Sequence, residues 1–414
     1  MAELILNLCI GLIFIMAGFI MIIIPNRVYS LILIAAIFAS LWHGGLMTVH
    51  FVRKRKIMDG FLAFSSFIFA FFLCSHQYFP EWVIRVGLGA YSIFYGLCCF
   101  IQWLIYVWNS NKGKLFTFIN AIAFLSVGLY LLFYSQFDSE WIMMFMGIYV
   151  LLLGFRYSCE MMFSLNPLMD HSWKRRYRLS LPTILCAFIP DWTFKILKKY
   201  DLKSEDELES QIKTNLRLMV HVGPKGFQKV GHITIVFDNM VYSYGNYDQE
   251  SHRLNGTVGK GIFFLAPYDL YLPMILSKEK NTIFEYGIQL SLNQEKQLRD
   301  VLHHQMDQAT AWYAPIQREP KSNLKMELEQ DYANRLAYYS HASFYQIEKG
   351  RFKTYWALGA NCALFIDSIL SVVGQDVLNL RNVVSPGLYL DWLQKEYIKK
   401  NSPIVSRTIH SLIL

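Results

Sequence analysis

One cysteine in the C-terminal half of the chain has the setting of a nucleophile. Cys362 lies in the segment Ala360–Asp367, where the sequence pattern predicts that a helix begins. A thiol at the start of a helix faces the positive end of the helix dipole, which favours the reactive thiolate. The other six cysteines lie in apolar segments, where a buried cysteine is typical of packing. Cys362 is therefore the candidate nucleophile.

A cysteine nucleophile needs a histidine that takes its proton. His232 follows a glycine and opens the apolar segment His232–Phe237, which is predicted to be a strand. The first residue of a strand is held rigidly and can face a helix packed on the sheet. The other seven histidines of the C-terminal half lack such a setting, and His232 is therefore the candidate base.

A third residue usually orients the imidazole. The next predicted strand carries Tyr242, Tyr244 and Asn246 on one face, and any of these could donate or accept the orienting hydrogen bond. The sequence leaves open which of them does so. Tyr244 and Asn246 are kept as candidate site residues beside Cys362 and His232.

The surrounding pattern predicts the elements that hold these residues. Strands are followed by helices without βαβ alternation, which indicates an α+β domain. Ser291 and Gln294 are three residues apart, which is the spacing of a capping box and predicts that a helix begins there. The expected elements are strands at Leu216–His221, His232–Asp238 and Met240–Tyr247, helices at Leu290–Gln308 and Asn361–Val373, the second ended by Gly374, and an exposed charged loop at Gln317–Asp331.

The first part of the chain has a different composition. The whole chain is 54% hydrophobic, only 17% charged, and has a mean hydropathy of +0.27. These values exclude a disordered chain and a purely soluble one. Six apolar runs, each long enough to cross a hydrocarbon core, predict six transmembrane helices. They are Ile5–Ile24, Tyr29–Phe51, Phe61–Phe79, Val83–Trp108, Leu115–Tyr134 and Ile142–Leu165.

Lysine and arginine in the connecting loops predict the orientation. Two lie in the loops after the odd-numbered runs, and ten lie on the other side. Because basic loops stay in the cytoplasm, both termini and the Cys–His domain are predicted to be cytoplasmic, on an inner-membrane protein. Three regions follow: a transmembrane domain at 1–165, a linker at 166–208 and the thiol-enzyme domain at 209–414. The linker is basic and aromatic, which suits either an interfacial segment or a helix docked on the soluble domain.

Polar residues within the apolar runs are costly and need an explanation. His43 lies in the middle of a predicted membrane helix, where it could be structural or functional. Arg156 and Glu160 are four residues apart near the end of the sixth run. Their spacing suits an ion pair on one helix face, and a structural role is favoured for it.

The motifs together resemble a known family. They are Gly231-His232 in a strand, the segment Tyr244–Asp248 in the next strand, the segment Leu290–Glu295, and Asn361-Cys362 at a helix start. This order is similar to the bacterial lipoprotein N-acyltransferase (Lnb-like) domain, within the permuted NlpC-type papain-like group. The Asn-Cys start is also similar to the lecithin:retinol acyltransferase-like (LRAT-like) branch. The resemblance covers Val230 to about Leu370, and the six-helix part loosely resembles HdeD-type membrane proteins.

The resemblance implies a papain-like fold, Cys362 as nucleophile, His232 as base, and lipid acyl chains carried as thioesters. The chain is thus expected to be a membrane-bound acyl hydrolase or transacylase acting on a phospholipid or another lipid, with the acyl acceptor unknown. The alternatives are a cysteine peptidase or peptidoglycan amidase, which the opposite topology would favour, and a non-enzymatic membrane protein that binds a lipid or a partner. No cofactor, metal ion or nucleic acid is expected, since no zinc-type spacing or basic–aromatic module occurs in the sequence.

Overall fold

The structure is a computed structural model of the 414-residue chain. It describes residues 2–76, 78–133, 138–164, 205–206, 214–223, 230–318, 324–370, 385–397 and 402–412. The chain divides into two compact units, residues 1–100 with 116–170, and residues 101–115 with 171–414. Most of the predicted linker at 166–208 lies outside the described residues, as do the side chains of Arg156 and Glu160.

The N-terminal region is helical. Its helices are α1 (Ala2–Ile23), α2 (Pro25–Lys54), α3 (Ile57–Ser75), α4 (Phe79–Trp108), α5 (Lys114–Phe133) and α6 (Ser139–Ser164). Helices α2 to α5 are long and apolar enough to cross a membrane, which indicates membrane association. The described apolar parts of the other two are shorter, Cys9–Ile23 and Ser139–Phe155. Four of the six predicted spans are thus supported by length and composition, and a crossing by α1 or α6 stays a prediction.

Glycines let two of these helices approach closely. A Cβ atom added at Gly18 of α1 would lie 2.7 Å from the carbonyl oxygen of Gly147 in α6. One added at Gly147 would lie 2.9 Å from the Gly18 carbonyl oxygen. Small residues at such a crossing allow backbone-to-backbone packing, which stabilises helix pairs in lipid.

The polar residue His43, which lies within α2, has a partner. Its Nδ1 is 2.8 Å from the Ser66 hydroxyl on α3, so this costly imidazole is not left without a hydrogen bond.

The C-terminal unit is built on an antiparallel sheet of nine strands. The strands pair in the order β1-β11-β7-β2-β3-β4-β6-β9-β8. A separate antiparallel pair joins β10 to β5. The strands are β1 (Glu205–Asp206), β2 (Leu216–Val222), β3 (His232–Phe237), β4 (Met240–Gly245), β5 (Val258–Lys260), β6 (Ile262–Pro267), β7 (Thr282–Ile288), β8 (Ala309–Trp312), β9 (Ser343–Ile347), β10 (Thr354–Trp356) and β11 (Ile404–His410).

Helices cover both faces of this sheet. They are α7 (Tyr268–Met274), α8 (Leu292–Asp307), α9 (Pro315–Arg318), α10 (Leu324–Gln330), α11 (Tyr332–Ser340), α12 (Cys362–Leu370) and α13 (Pro386–Tyr397). Residues of α8, α12 and α13 form one buried cluster with Ile233 and Ile235 of β3, here called the α12 core. Residues of α7 and α11 form another with Met219 of β2 and Val236 of β3, here called the α11 core. Alternation along the strands separates the two cores.

The predicted strands and helix starts of this unit are confirmed. The three predicted strands correspond to β2, β3 and β4 within two residues, and the unit has the expected mixture of sheet and helix. Helix α8 begins after Ser291, whose hydroxyl accepts a hydrogen bond from the Gln294 amide while the Gln294 side chain accepts one from the Ser291 amide. The second predicted helix begins at Cys362 and is described as far as Leu370. Its predicted end at Gly374 lies outside the described residues.

The exposed loop predicted at Gln317–Asp331 is wrong. Helix α9 ends within this segment and α10 occupies Leu324–Gln330. Glu327 and Leu328 are less than 10% exposed. The high charge of the segment led to the prediction of a loop. The charged residues belong to a helix that packs against α11 on one side and meets solvent on the other.

Candidate active site

Cys362 is the first residue of α12, and the preceding asparagine fixes that helix start. Oδ1 of Asn361 accepts a hydrogen bond from the Leu364 amide at 3.0 Å. Its Nδ2 donates to the Ala357 carbonyl oxygen at 2.9 Å. An asparagine in this position satisfies an amide of the first turn that has no partner within the helix. The Asn-Cys pair therefore holds the thiol at a defined place at the end of a buried helix.

The Cys362 thiol is buried, and backbone amides near it act on its pKa. Cys362 is only 4% exposed. Backbone N–H groups of Ile233, Ala363 and Cys362 itself act on the sulfur and lower its pKa. Burial acts in the opposite direction and dominates, because a thiolate loses its hydration there, and the pKa of the Cys362 thiol rises to about 11. The amides of Ala363 and Cys362 at the helix start thus favour the thiolate, as expected, but burial outweighs them and the thiol is protonated at neutral pH.

His232 opens β3 and is held by a chain of two hydrogen bonds. Its Nε2 lies 2.7 Å from the Ser243 hydroxyl, and that hydroxyl lies 2.9 Å from the hydroxyl of Tyr247. Within the described part of the chain, Nδ1 of His232 has no hydrogen-bond partner. Burial lowers the pKa of His232 to about 4, so the imidazole is neutral at pH 7 and can accept a proton.

A second imidazole lies on the neighbouring strand β2, directly opposite His232. His221 of β2 pairs in register with His232, and the two ring centroids are 6.0 Å apart. Nε2 of His221 is 3.0 Å from the Thr234 hydroxyl. Burial lowers the pKa of His221 well below the usual histidine value, so this ring is also neutral. His221 is not among the site residues predicted from the sequence.

The two residues predicted to orient the imidazole bind elsewhere. The Tyr244 hydroxyl donates to the Phe352 carbonyl oxygen at 2.9 Å, within the α12 core. Nδ2 of Asn246 donates to the Gly256 carbonyl oxygen at 2.6 Å. Neither side chain bonds to the ring of His232, and Ser243 and Tyr247 take the predicted place.

Strand register explains this exchange. The β3–β4 hairpin pairs Ile235 with Tyr242, so His232 lies opposite Gly245 and diagonal to Ser243, on the same face of the sheet. A side chain at position 245 would obstruct the chain of hydrogen bonds. A Cβ atom there would lie 2.9 Å from the Tyr247 ring, which folds back toward Ser243.

The Cys362 thiol and the His232 ring have different neighbours near the start of β3. The backbone N–H of Ile233 lowers the pKa of the thiol, and the Ile233 side chain belongs to the α12 core. The His232 ring bonds to Ser243 and lies beside His221, which packs on Tyr271 in the α11 core. Among the described residues, no hydrogen bond joins the Cys362 thiol to the His232 ring. The structure thus brings Cys362 to the residue that follows His232, and a direct contact between the two side chains stays a prediction.

A cavity of about 310 Å³ opens beside His232. His221, His232 and Gly245 line it at the sheet, and Tyr355 lines it from β10. Its remaining wall comes from the segment that follows β4 and from the segments around α7 and α11. Cys362 is not among the lining residues.

The described residues contain no group of three histidine, cysteine or acidic side chains that could hold a metal ion. Comparison with known proteins adds no identity. No family model, curated protein or solved structure matches the chain.

Proposed function

We propose that the chain is a membrane-bound thiol enzyme that cleaves or transfers a lipid acyl group through a thioester on Cys362. One observation carries the proposal: the backbone N–H groups of Ile233, Ala363 and Cys362 lower the pKa of the buried Cys362 thiol, and Ile233 follows a neutral histidine held by Ser243. Amides fixed in this way stabilise negative charge as it develops, without reorganisation. They suit a thiol that is protonated at rest and ionises during the reaction.

The chemistry follows the usual course for a cysteine nucleophile. We propose that Nδ1 of His232 takes the thiol proton when bound substrate brings the two side chains together, and that the sulfur attacks the acyl carbonyl carbon. Collapse of the tetrahedral intermediate breaks the ester C–O bond, and the imidazolium returns the proton to the leaving alcohol. Water or another alcohol or amine then attacks the thioester, and the Cys362 thiol leaves with a proton from the attacking group. Ser243 and Tyr247 keep the other ring nitrogen in place throughout.

The lipid substrate is proposed from the membrane helices and from the resemblance. A protein anchored by apolar helices keeps its catalytic domain beside an insoluble substrate, at high effective concentration. The order of the histidine strand and the cysteine helix resembles the Lnb-like and LRAT-like thiol enzymes, and we propose a papain-like domain of that kind. The six-span topology, with the domain in the cytoplasm, is part of this proposal and depends on the ten-to-two distribution of basic residues.

The decisive experiment traps the covalent intermediate. Purified full-length protein is incubated with phospholipid vesicles, and its intact mass and peptide masses are measured. We expect an acyl adduct on Cys362 that hydroxylamine removes, as it does other thioesters. Cys362→Ala should abolish the adduct, whereas Cys98→Ala, which alters a buried cysteine of α4, should leave it unchanged. Wild-type protein that hydrolyses no acyl ester and carries no adduct contradicts the proposal.

The topology is tested separately. Alkaline phosphatase or a fluorescent protein is fused after Leu414. Fluorescence without phosphatase activity is expected for a cytoplasmic terminus, since the phosphatase is active only outside the membrane. The opposite result would move the domain outward and favour a peptidoglycan amidase or peptidase.

A second candidate function has an observation in its favour. Cys362 is buried, protonated and absent from the cavity wall, which suits a packing residue in a domain that binds a lipid or a partner. In that case the Cys362→Ala variant would retain the full cellular function of the wild-type protein. The His232 cavity would then be a binding site without a covalent step.

A further inference from the structure

The cavity beside His232 contains buried acceptor atoms that nothing in the described residues satisfies. The Tyr271 side chain is fully buried and lines the cavity, and its hydroxyl has no hydrogen-bond partner. The Tyr332 hydroxyl lies close enough to lower the pKa of Tyr271 as a hydrogen-bonding neighbour, but the two hydroxyls do not meet strict hydrogen-bond geometry. Oδ1 of Asn281, another lining atom, is also buried without a donor. Unsatisfied buried polar atoms are uncommon and point to a missing ligand or water.

The charge of the cavity wall is negative. Nε and Nη2 of Arg335 donate to the two carboxylate oxygens of Glu279. Its Nη1 donates to two backbone carbonyl oxygens of α10. This pair contributes no net charge. The rings of His221 and His232 are neutral. His252 also lines the cavity, and both it and Arg335 act electrostatically on Asp331. Among the acidic and arginine side chains of the wall, the carboxylate of Asp331, which caps α11 and is 8% exposed, is the one in excess.

Aromatic rings complete the wall. Tyr247 and Tyr332 have ring centroids 6.0 Å apart, and Tyr271 packs with them in the α11 core. The Arg335 guanidinium already lies 5.6 Å from the Tyr332 ring centroid, so the Tyr247 and Tyr271 rings are the ones open to a further cation. Ring faces attract cations, and the effect grows when the cation is shielded from water. Unsatisfied acceptors, one excess carboxylate and ring faces are all features that an N–H-bearing cation satisfies. An anionic phosphate would meet repulsion in the same place.

We infer that this cavity binds a primary ammonium group, with its N–H donors directed to Asp331, Asn281 and Tyr271. The inference goes beyond the proposed function, because such binding requires no covalent chemistry. The cation could be a soluble amine or the head group of a lipid such as phosphatidylethanolamine. The volume of about 310 Å³ accommodates either of these groups.

The test uses full-length protein with the Cys362→Ala substitution, so that no turnover interferes. Ethanolammonium chloride is titrated at pH 8 against sodium chloride of equal ionic strength, and the thermal unfolding midpoint is recorded. Four heavy atoms limit the affinity to roughly the micromolar-to-millimolar range, so a saturable rise is expected at millimolar concentrations. Choline has no N–H donor and should bind at least about ten-fold more weakly. Equal stabilisation by choline, or none by ethanolammonium, overturns the inference.

Two variants locate the site. Asp331→Asn keeps a good helix cap but removes the charge, and Tyr271→Phe removes one hydroxyl. Each should weaken ethanolammonium binding, Asp331→Asn by about ten-fold or more, because hydrogen bonds to charged groups are the stronger ones. Asp300→Asn, an exposed carboxylate on α8, is the matched control and should leave binding unchanged. Unaltered binding in both cavity variants would place the cation elsewhere and refute the site.

The source of the ammonium group is resolved in nanodiscs. If a lipid head group fills the cavity, phosphatidylethanolamine in the disc should abolish further stabilisation by ethanolammonium, whereas phosphatidylglycerol should not. If the ligand is soluble, both discs should give the same titration. A failure of the thioester experiment would leave these binding results intact, so the two proposals fail independently.

Discussion

Titration of the Cys362 thiol provides a direct measure of how strongly burial controls this site. Burial raises the pKa of the thiol from 9.0 to about 11. Two pH units correspond to about a 100-fold smaller thiolate fraction at neutral pH than in an ordinary cysteine. The three amides around the sulfur reduce this effect but do not reverse it. A thiolate–imidazolium ion pair with His232 would give the opposite result, a thiolate that persists below pH 7.

The assay is alkylation by iodoacetamide, followed by mass spectrometry of the Cys362 peptide. Only the thiolate reacts, so the rate follows ionisation. For Cys362 in the folded protein we expect a rate that still increases about ten-fold per pH unit between pH 8 and 10. For glutathione the rate should level off near pH 9. The shape of the profile, rather than the absolute rate, is compared, because burial also slows access of the reagent.

The outcome distinguishes two mechanisms. A profile that levels off below pH 8, and that shifts upward in His232→Ala, would refute the reasoning and show an ion pair in the resting protein. A continued rise to high pH supports a neutral pair in which ionisation accompanies attack on the substrate. The same measurement on protein unfolded in guanidinium should recover an ordinary cysteine profile.

Three further outcomes follow from the contacts of His232. Ser243→Ala should reduce acyl turnover about ten-fold or more with the fold intact, because the imidazole loses the hydrogen bond that orients it, and the comparison of turnover with the thermal midpoint checks this. Gly245→Ala should have a similar effect on turnover, because its methyl group displaces the Tyr247 ring; full activity in this variant would disprove the close packing. Acid should destabilise the protein: the pKa of His232 is about 4 in the folded state against 6.5 in the unfolded chain, so the unfolded state binds more protons as the pH falls from 6.5 to 4. The loss from His232 is on the order of 3 kcal/mol, measured by unfolding at pH 7.5 and 4.5, and His232→Gln should remove that part of the pH dependence.

The elements that depend on nearby residues were predictable from the sequence. The helix that follows Ser291 begins where its capping box predicts, since both hydrogen bonds join residues three apart. The strands around His232 were also predicted, because apolar β-branched residues and turn residues alternate there. Asn361 marks the start of α12 for the same local reason, since its side chain caps a residue three positions on.

The orienting residue was missed although the sequence contains the information. Asp238 and Asn239 form a two-residue hairpin turn with positive φ at both positions, which suits aspartate and asparagine. Such a turn fixes the pairing of the two strands. Counting back from it places Ser243 and Gly245 on the face of His232, and Tyr244 on the other face. The prediction of Tyr244 and Asn246 used the alternation along the second strand but not the register that relates its faces to the histidine.

Other features depend on tertiary contacts that no local pattern contains. Burial of the thiol requires the strand β3 beneath α12, and this burial reverses the effect expected from the helix dipole. The cavity likewise brings together Asp331 and Tyr271, which lie on different helices. Its acceptors and its charge become visible only when these helices pack on one face of the sheet.

The order of strands in the sheet has a consequence for synthesis of the protein. Strand β11 pairs with β7 but leaves the ribosome about 115 residues after it, a delay of roughly 6–20 s at ordinary elongation rates. During this time one edge of β7, an apolar strand, has no neighbour, and such an edge readily pairs with other nascent chains. The helices that precede the domain emerge first and tether the nascent chain at the membrane. We therefore expect nascent chains that stop before β11 to depend on chaperones more than the finished protein does.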